Sequence, residues 1–391
     1  MRNDVHNSKH RIEMAIAFIQ RDSSISEKNK KSIVDFHNYA IAQGLSLNRV
    51  LRYLYDIKNL DKFLKKDFEL TTKEDIEKVL TDLEKSHYGE FTKHGFRIVI
   101  RIFYKWLRGT QWFPEEVGWY TIKEPKDKIR LPEELLTEQD IAKLINAADN
   151  PRDKAFVSVL YESGCRIGEM MFLRLKHVKF DSYGGQIVVE GKTGFRRVRL
   201  VSSVPYLTNW INAHPRKDDS DSPLWISFLK RDLAVYHTYR KMLETLKNRS
   251  GIKKAVNPHI FRHSRATYLA NHLTEAQMKE IFGWTKNSDM ASIYVHLSGR
   301  DVDKAILKTH GIKLEETEEE KSLLEPKQCK RCNDVNPATN KFCRVCGLPL
   351  DDKIADEIIV NELKRRQADG IMDRLVKDEE FKKMLLAHLQ K

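Results

Sequence analysis

Six residues in the middle of the chain are of types that suit attack on a phosphodiester. Arg166 lies in Ser163-Gly-Cys-Arg-Ile-Gly-Glu169 and Lys192 in Gly191-Lys-Thr-Gly194. His259 and Arg262 lie in Pro258-His-Ile-Phe-Arg, Trp284 ends Ile281-Phe-Gly-Trp, and Tyr294 lies in Ser292-Ile-Tyr-Val. Two guanidiniums can grip the non-bridging oxygens of a phosphate in pairs and neutralise charge that grows in the transition state. A tyrosine can act as covalent nucleophile. A lysine on a turn can protonate the departing 5′ oxygen, and a histidine can shuttle protons. His259 and Arg262, three apart, share a helix face and can point into one pocket. No acidic cluster suggests a two-metal nuclease, and no Gly-rich phosphate loop is present.

Taken singly, each residue has an ordinary reading. Arg166 can be a surface arginine, Lys192 a solvated turn lysine, His259 and Trp284 core side chains, and Tyr294 is one of 13 tyrosines. Glu169, one helical turn after Arg166, either supports that arginine or pairs with another neighbour. What chance rarely supplies is the joint order and spacing, which reads as an active site. His263 and His296 read as structural.

A second constellation lies near the end. Of five cysteines, four fall within eighteen residues as Cys329-Lys-Arg-Cys332 and Cys343-Arg-Val-Cys346, while Cys165 stands apart. Paired C-x-x-C knuckles at this spacing fit a tetrahedral zinc ribbon, the metal being structural because so small a module holds no core without it. Redox and iron–sulfur readings fit less well, since redox motifs of this type come singly on a βαβ unit. Lys330, Arg331, Lys341 and Arg344 around the knuckles suit a grip on DNA or on a partner subunit; a folding staple for the tail is the plain alternative.

These residues need elements to hold them. Ile12, Ala15, Ile16 and Ile19 place an amphipathic helix in residues 1–21. Four more helical stretches fill 22–110, punctuated by Ser26, Gly44 and the capping pattern Thr72-Lys-Glu-Asp75. Pro114, Gly118, Pro125 and Pro132 mark 111–132 as a linker. In 133–310 helix is expected at 137 onward, at 152–163 and on through 165–176; the period then changes to that of a β-hairpin over 185–201, and helix returns over 203–300. Six glutamates make 311–327 a solvated hinge, 328–350 is the ribbon, and 351–391 reads as helix interrupted at Gly370. The apolar stripe of that tail, with Ile358 and Leu375, needs a partner surface, such as another copy of the chain. The fold class is therefore mainly α with a small β-sheet.

Charge agrees with an anionic partner. The net charge is +13; residues 1–130 carry +6 (25 basic, 19 acidic), 131–310 carry +8 (28 and 20) and 311–391 carry −1 (16 and 17). The excess lies where nucleic-acid phosphates would bind. With no run of 18 apolar residues and no signal-peptide pattern, a cytoplasmic, nucleoid-associated protein is expected, with no membrane contact.

The four active-site segments resemble the signature boxes of the tyrosine recombinases, the phage-integrase type of site-specific recombinase. Arg166, Lys192, His259, Arg262, Trp284 and Tyr294 follow the family's order, with Glu169 as its supporting acid. The resemblance spans about residues 20–310 and implies a helical core-binding (SAM-like) DNA-binding domain at 22–110 followed by the catalytic domain at 133–310. The ribbon is similar to that of some archaeal integrases. The resemblance further implies double-stranded DNA as partner, a homo-tetramer on paired sites, a 3′-phosphotyrosyl intermediate with Tyr294 as nucleophile, and no metal or ATP in the chemistry. One departure is Trp284, where the family usually has histidine: an indole N–H donates a hydrogen bond but transfers no proton, which leaves His259 as the candidate for the tyrosine proton. Two rivals remain: a type IB topoisomerase-like enzyme that relaxes DNA, and a catalytically silent DNA-binding protein.

Overall fold

The computed structural model describes residues 7–125, 132–191, 194–228, 233–297, 310 and 322–389. The chain divides into two units, residues 1–130 and 131–391. As the apolar periodicities lead one to expect, it is mainly helical with two small antiparallel sheets.

The first unit is all helical: α1 (Ser8–Arg21), α2 (Glu27–Ala42), α3 (Leu47–Leu64), α4 (Lys73–Lys85), α5 (Glu90–Leu107) and the short α6 (Glu115–Gly118). Their apolar stripes close one core around Ile19, Ile33, Phe36, Leu60, Phe68, Leu83 and Phe103, where Phe36 and Phe68 both meet Phe103 edge-on. The helix starts are chemically marked. Ser26 accepts from the Asn29 N–H, and Thr72 with Asp75 forms a capping box. Asn29 is buried and fully used: its amide donates to Asp61 and to the Lys66 carbonyl and accepts from the Phe68 N–H, tying α2, α3 and the turn after α3 together. The residues expected as a linker are in part core, because Val117 and Tyr120 are buried against this unit. Residues 126–131 of that span lie outside the described residues.

The second unit is organised around α8 (Pro151–Ser163), which is buried on every side. Against it pack α7 (Glu138–Ala147), α10 (Val204–Asn212) and α12 (Pro258–Ala270). The remaining elements are α9 (Ile167–Met171), α11 (Tyr236–Ser250), α13 (Glu275–Phe282) and α14 (Met290–Leu297). A three-stranded antiparallel sheet, β1 (Val178–Asp181), β2 (Gly184–Gly191) and β3 (Gly194–Leu200), runs in the order β1-β2-β3 with Gly191 paired to Gly194 at the turn. Buried Glu162 of α8 accepts the N–H groups of Val201, Ser202 and Ser203 and the Ser203 hydroxyl, which fastens the end of β3 to the central helix.

Three expectations are corrected. The helix expected over 165–176 ends at Met171, because the Leu175 and Lys176 N–H groups donate to the Ser222 and Ser220 carbonyls and the Leu173 carbonyl accepts from the Leu224 N–H. That segment leads into β1, the third strand beside the expected hairpin. Within the span expected to return to helix, residues 213–228 and 233–235 are irregular, and Pro215, Pro223 and a run of Asp and Ser supply the turn chemistry. The tail helix, α15 (Asp352–Leu375), runs through Gly370 and breaks only before Asp378, which caps α16 (Glu379–Leu389). A glycine inside a helix costs only about 1 kcal/mol, less than the pull of a good N-cap. No side chain of α15 is buried. The ribbon, with β4 (Lys327–Gln328) and β5 (Val335–Asn336), packs on α10. There the Tyr206 and Thr339 hydroxyls bond at 2.8 Å, and Arg344 reaches Asn209.

Candidate active site and metal centre

The site assembles where three helix ends meet. Central α8 stops at Gly164, whose left-handed backbone (φ 56°) turns the chain and sets Arg166 at the N-cap of α9. Glu169, one turn on, accepts the Arg166 backbone N–H at 2.9 Å and pairs with its guanidinium at 3.0 Å. On α12, Asn257 caps the first turn through the His259 and Ile260 N–H groups, so that His259 lies exposed at the mouth and Arg262 is buried one turn deeper. Helix α13 ends at Gly283 in the left-handed region and delivers Trp284. Tyr294 projects from α14 and is 4% exposed.

These elements bring Arg166, His259, Arg262, Trp284 and Tyr294 around one cleft of about 390 Å³, with His263 as a further wall. Lys192 lies outside the described residues, between Gly191 and Gly194 at the β2–β3 turn, and so does the side chain of His296. Arg262 donates to the Gly164 carbonyl at 2.9 Å and the Phe282 carbonyl at 2.7 Å, which fixes its head at the junction of α8, α12 and α13. Burial, and then the like charge of Arg166, push its pKa down to about 10. It is thus a cation held at a cost, which an approaching anion relieves.

Two residues of this site did not stand out in the sequence. Arg196 of β3 bonds Glu169 at 2.6 Å and the Ile281 carbonyl at 2.8 Å, so Glu169 bridges two arginines. Burial works against the Glu169 charge, yet the Arg196 hydrogen bond and charge, with the Arg166 N–H, override it and hold the carboxyl below its ordinary range. The same pairing lifts Arg196 above its ordinary value despite burial. A signal existed: Arg196 alternates in register with buried Val198 and Leu200 and so faces inward. The second is His263, read as structural, whose Nδ1 is hydrogen-bonded to the Tyr294 hydroxyl. His259, expected to handle the tyrosine proton, lines the cleft, but the bond to the hydroxyl goes to His263, one helical turn further along the same face. Trp284 lies flat between aromatic rings, 4.9 Å from Phe282 and 5.6 Å from Tyr294, the latter pair within 3° of parallel.

The arrangement can do definite chemistry. Two guanidiniums and a neutral-to-cationic rim face a cleft whose only hydroxyl on an aromatic ring, among the described lining residues, is Tyr294. Such a cleft suits a tetrahedral anion placed against a phenol.

The four cysteines also converge. Their sulfurs all lie within 4.8 Å of one another, with Cys329–Cys346 and Cys332–Cys343 at 3.5 Å. Zinc–sulfur bonds of about 2.3 Å at tetrahedral angles place sulfurs roughly 3.8 Å apart, so the set fits a Cys₄ site. The Arg331 N–H and the Asn336 amide point at Cys329 and Cys343, as donors to thiolates do. Of the basic residues around the knuckles, Arg344 is paired with Asp334 and Lys330 with Asp352.

Comparison with known proteins agrees with this geometry. Residues 134–300 match the phage integrase family. The chain is 28% identical over 283 residues to the tyrosine recombinase XerA of Pyrococcus horikoshii, covering 72% of this chain and 94% of that protein. It is 26% identical over 300 residues to the tyrosine recombinase XerC of Natranaerobius thermophilus, covering 72% and 99%. The fold is shared with XerH site-specific recombinase bound to its difH substrate (TM-score 0.55, 15% identity, 79% of this chain and 98% of that one). It is also shared with a lambda integrase dimer bound to a core site (TM-score 0.54, 16% identity, 69% and 96%). Residues 134–300 are a phage-integrase family domain, and the chain is similar over 72% of its length to tyrosine recombinases. Among the described residues no helix is long and apolar enough to cross a membrane.

Proposed function

We propose that this protein is a site-specific DNA recombinase that breaks and rejoins strands through a 3′-phosphotyrosyl intermediate. The observation that carries the reading is the convergence of Arg166, His259, Arg262, Trp284 and Tyr294 of one chain on one cleft. Arg166 and Arg262 bind the scissile phosphate. The Tyr294 hydroxyl attacks phosphorus, the bond to the 5′ oxygen breaks, and Lys192 protonates that oxygen. His259 at the mouth donates to a phosphate oxygen, Trp284 holds the tyrosine ring, and Glu169 keeps Arg166 aimed. A 5′-hydroxyl from a second strand reverses the step and needs no ATP, because the phosphodiester energy is kept in the tyrosyl ester. Because Tyr294 rests beside the arginines of its own chain, each subunit cuts the phosphate it binds. A lambda integrase tetramer bound to a Holliday junction has this fold (TM-score 0.54), which supports a tetramer on paired DNA sites here. Zinc held by Cys329, Cys332, Cys343 and Cys346 is structural and takes no part in the chemistry.

The test uses a nicked duplex carrying a site that the protein itself selects from a random-sequence pool. The wild-type chain, without added magnesium, forms an SDS-resistant adduct and Tyr294→Phe forms none. Tight binding without an adduct would favour a silent DNA-binding protein. Relaxation of supercoiled DNA without strand transfer between two sites would favour a topoisomerase.

A further inference from the structure

We propose that His263 accepts the Tyr294 proton during cleavage and returns it during rejoining, a role that rests on the strand-cleaving reading above. The Tyr294 hydroxyl is bonded to His263 Nδ1, and the two rings lie 5.8 Å apart. With the imidazole hydrogen on Nε2, the phenol is the donor and Nδ1 the acceptor. The histidine is held in place by its neighbours on α12. Arg262 before it is fixed by two carbonyls, and Ser264 after it accepts the Leu136 N–H.

Other candidates for this proton are poorly placed. The indole of Trp284 is a donor only. Among the described residues lining the cleft there is no carboxylate; the titratable or charged groups that share it with His263 are Arg166, His259, Arg262 and Tyr294. Glu169, the nearby acid, is committed to Arg166 and Arg196. His259 is exposed at the mouth.

The step balances without any added reagent. As the Tyr294 oxygen bonds to phosphorus, its proton passes to Nδ1 and leaves an imidazolium. The phosphorus–5′-oxygen bond breaks, and that oxygen takes its proton from Lys192. Rejoining runs the same transfers backwards, the imidazolium protonating the departing phenolate. Cleavage and rejoining then depend equally on one side chain.

The experiment follows single-turnover cleavage of the selected nicked duplex with either oxygen or sulfur at the bridging 5′ position. Sulfur leaves without a proton, so it bypasses the acid but leaves the need for a base on the attacking phenol unchanged. His263→Ala and His263→Gln are expected to retain DNA affinity and to lose cleavage by roughly 100-fold with either leaving atom. The wild-type rate falls towards acid as the imidazole protonates; in both variants that limb disappears and the rate rises with pH as the phenol ionises. Lys192→Ala loses rate with oxygen and regains it with sulfur. Wild-type rates and an unchanged pH profile in both variants would overturn the proposal. So would rescue by sulfur, or full activity in His263→Gln, which accepts a hydrogen bond but takes no proton. A wild-type chain that binds the duplex yet forms no adduct would overturn the strand-cleaving reading itself, and the role of His263 with it.

Discussion

Glu169 is the hinge of the site's electrostatics, since one buried carboxylate serves two arginines on different elements. Its pKa is lowered in the fold, so its contribution to stability is complete above the ordinary carboxylate value of about 4.3 and is lost as pH falls through the lower folded value. Glu169→Ala leaves Arg196 buried without its partner and is expected to cost about 3 kcal/mol. Urea unfolding at pH 7 measures that loss, and a pH series on Glu169→Gln should show a flatter acid limb than the wild type. Glu169 was legible as a supporting acid because it falls one turn after Arg166. Its second partner was not, because Arg196 is 27 residues away and met across a strand. His263 was passed over for a related reason. A histidine next to an arginine on a helix points about 100° away from it, and only the position of α14 decides that it meets Tyr294.

At the scale of elements, the site depends on how helices end. Gly164 ends α8 in the left-handed region, offers its carbonyl to Arg262, and has no room for a side chain: a Cβ would sit 2.5 Å from the Phe282 ring. Gly164→Ala therefore combines a backbone penalty of about 1–2 kcal/mol with displacement of Phe282, whose own carbonyl is the other anchor of Arg262. It is expected to lower stability by about 2 kcal/mol and to slow adduct formation while duplex binding persists; thermal unfolding and the nicked-substrate assay check the two parts. Most helices were legible from apolar spacing and from capping residues such as Thr72 and Thr137. Where spacing misled, tertiary backbone bonds had taken over. The stretch after Met171 pairs with residues 220–224, a partnership that no local pattern announces. Gly370 misled in the other direction, since one glycine is too small a penalty to end a helix whose next cap lies at Asp378.

For the whole molecule, the ribbon is an attachment whose fold and docking stand on different supports. Four cysteines that could hold a metal ion converge between its loops; hydrogen bonds from Thr339 and Arg344 hold it to α10. Removing zinc with a strong chelator, or Cys343→Ser, is expected to expose residues 328–350 to proteolysis. The helices around α8 should keep their unfolding midpoint to within a few degrees, because what ties the ribbon to α10 is hydrogen bonding from Thr339 and Arg344. A collapse of the catalytic domain on chelation would count against this separation. The knuckle spacing made the cysteine cluster readable, but not its surroundings: two of the four nearby basic residues are paired with Asp334 and Asp352.

The parallel stack of Trp284 on Tyr294 carries a consequence in entropy. A phenol pressed against an indole face and tied at its hydroxyl has both side-chain torsions fixed before any substrate arrives. Freezing those rotors costs on the order of 1 kcal/mol, and under the proposed strand-cleaving reading that cost would be met once, when the domain folds, instead of at each attack. Where a histidine would contribute a proton, the tryptophan contributes order.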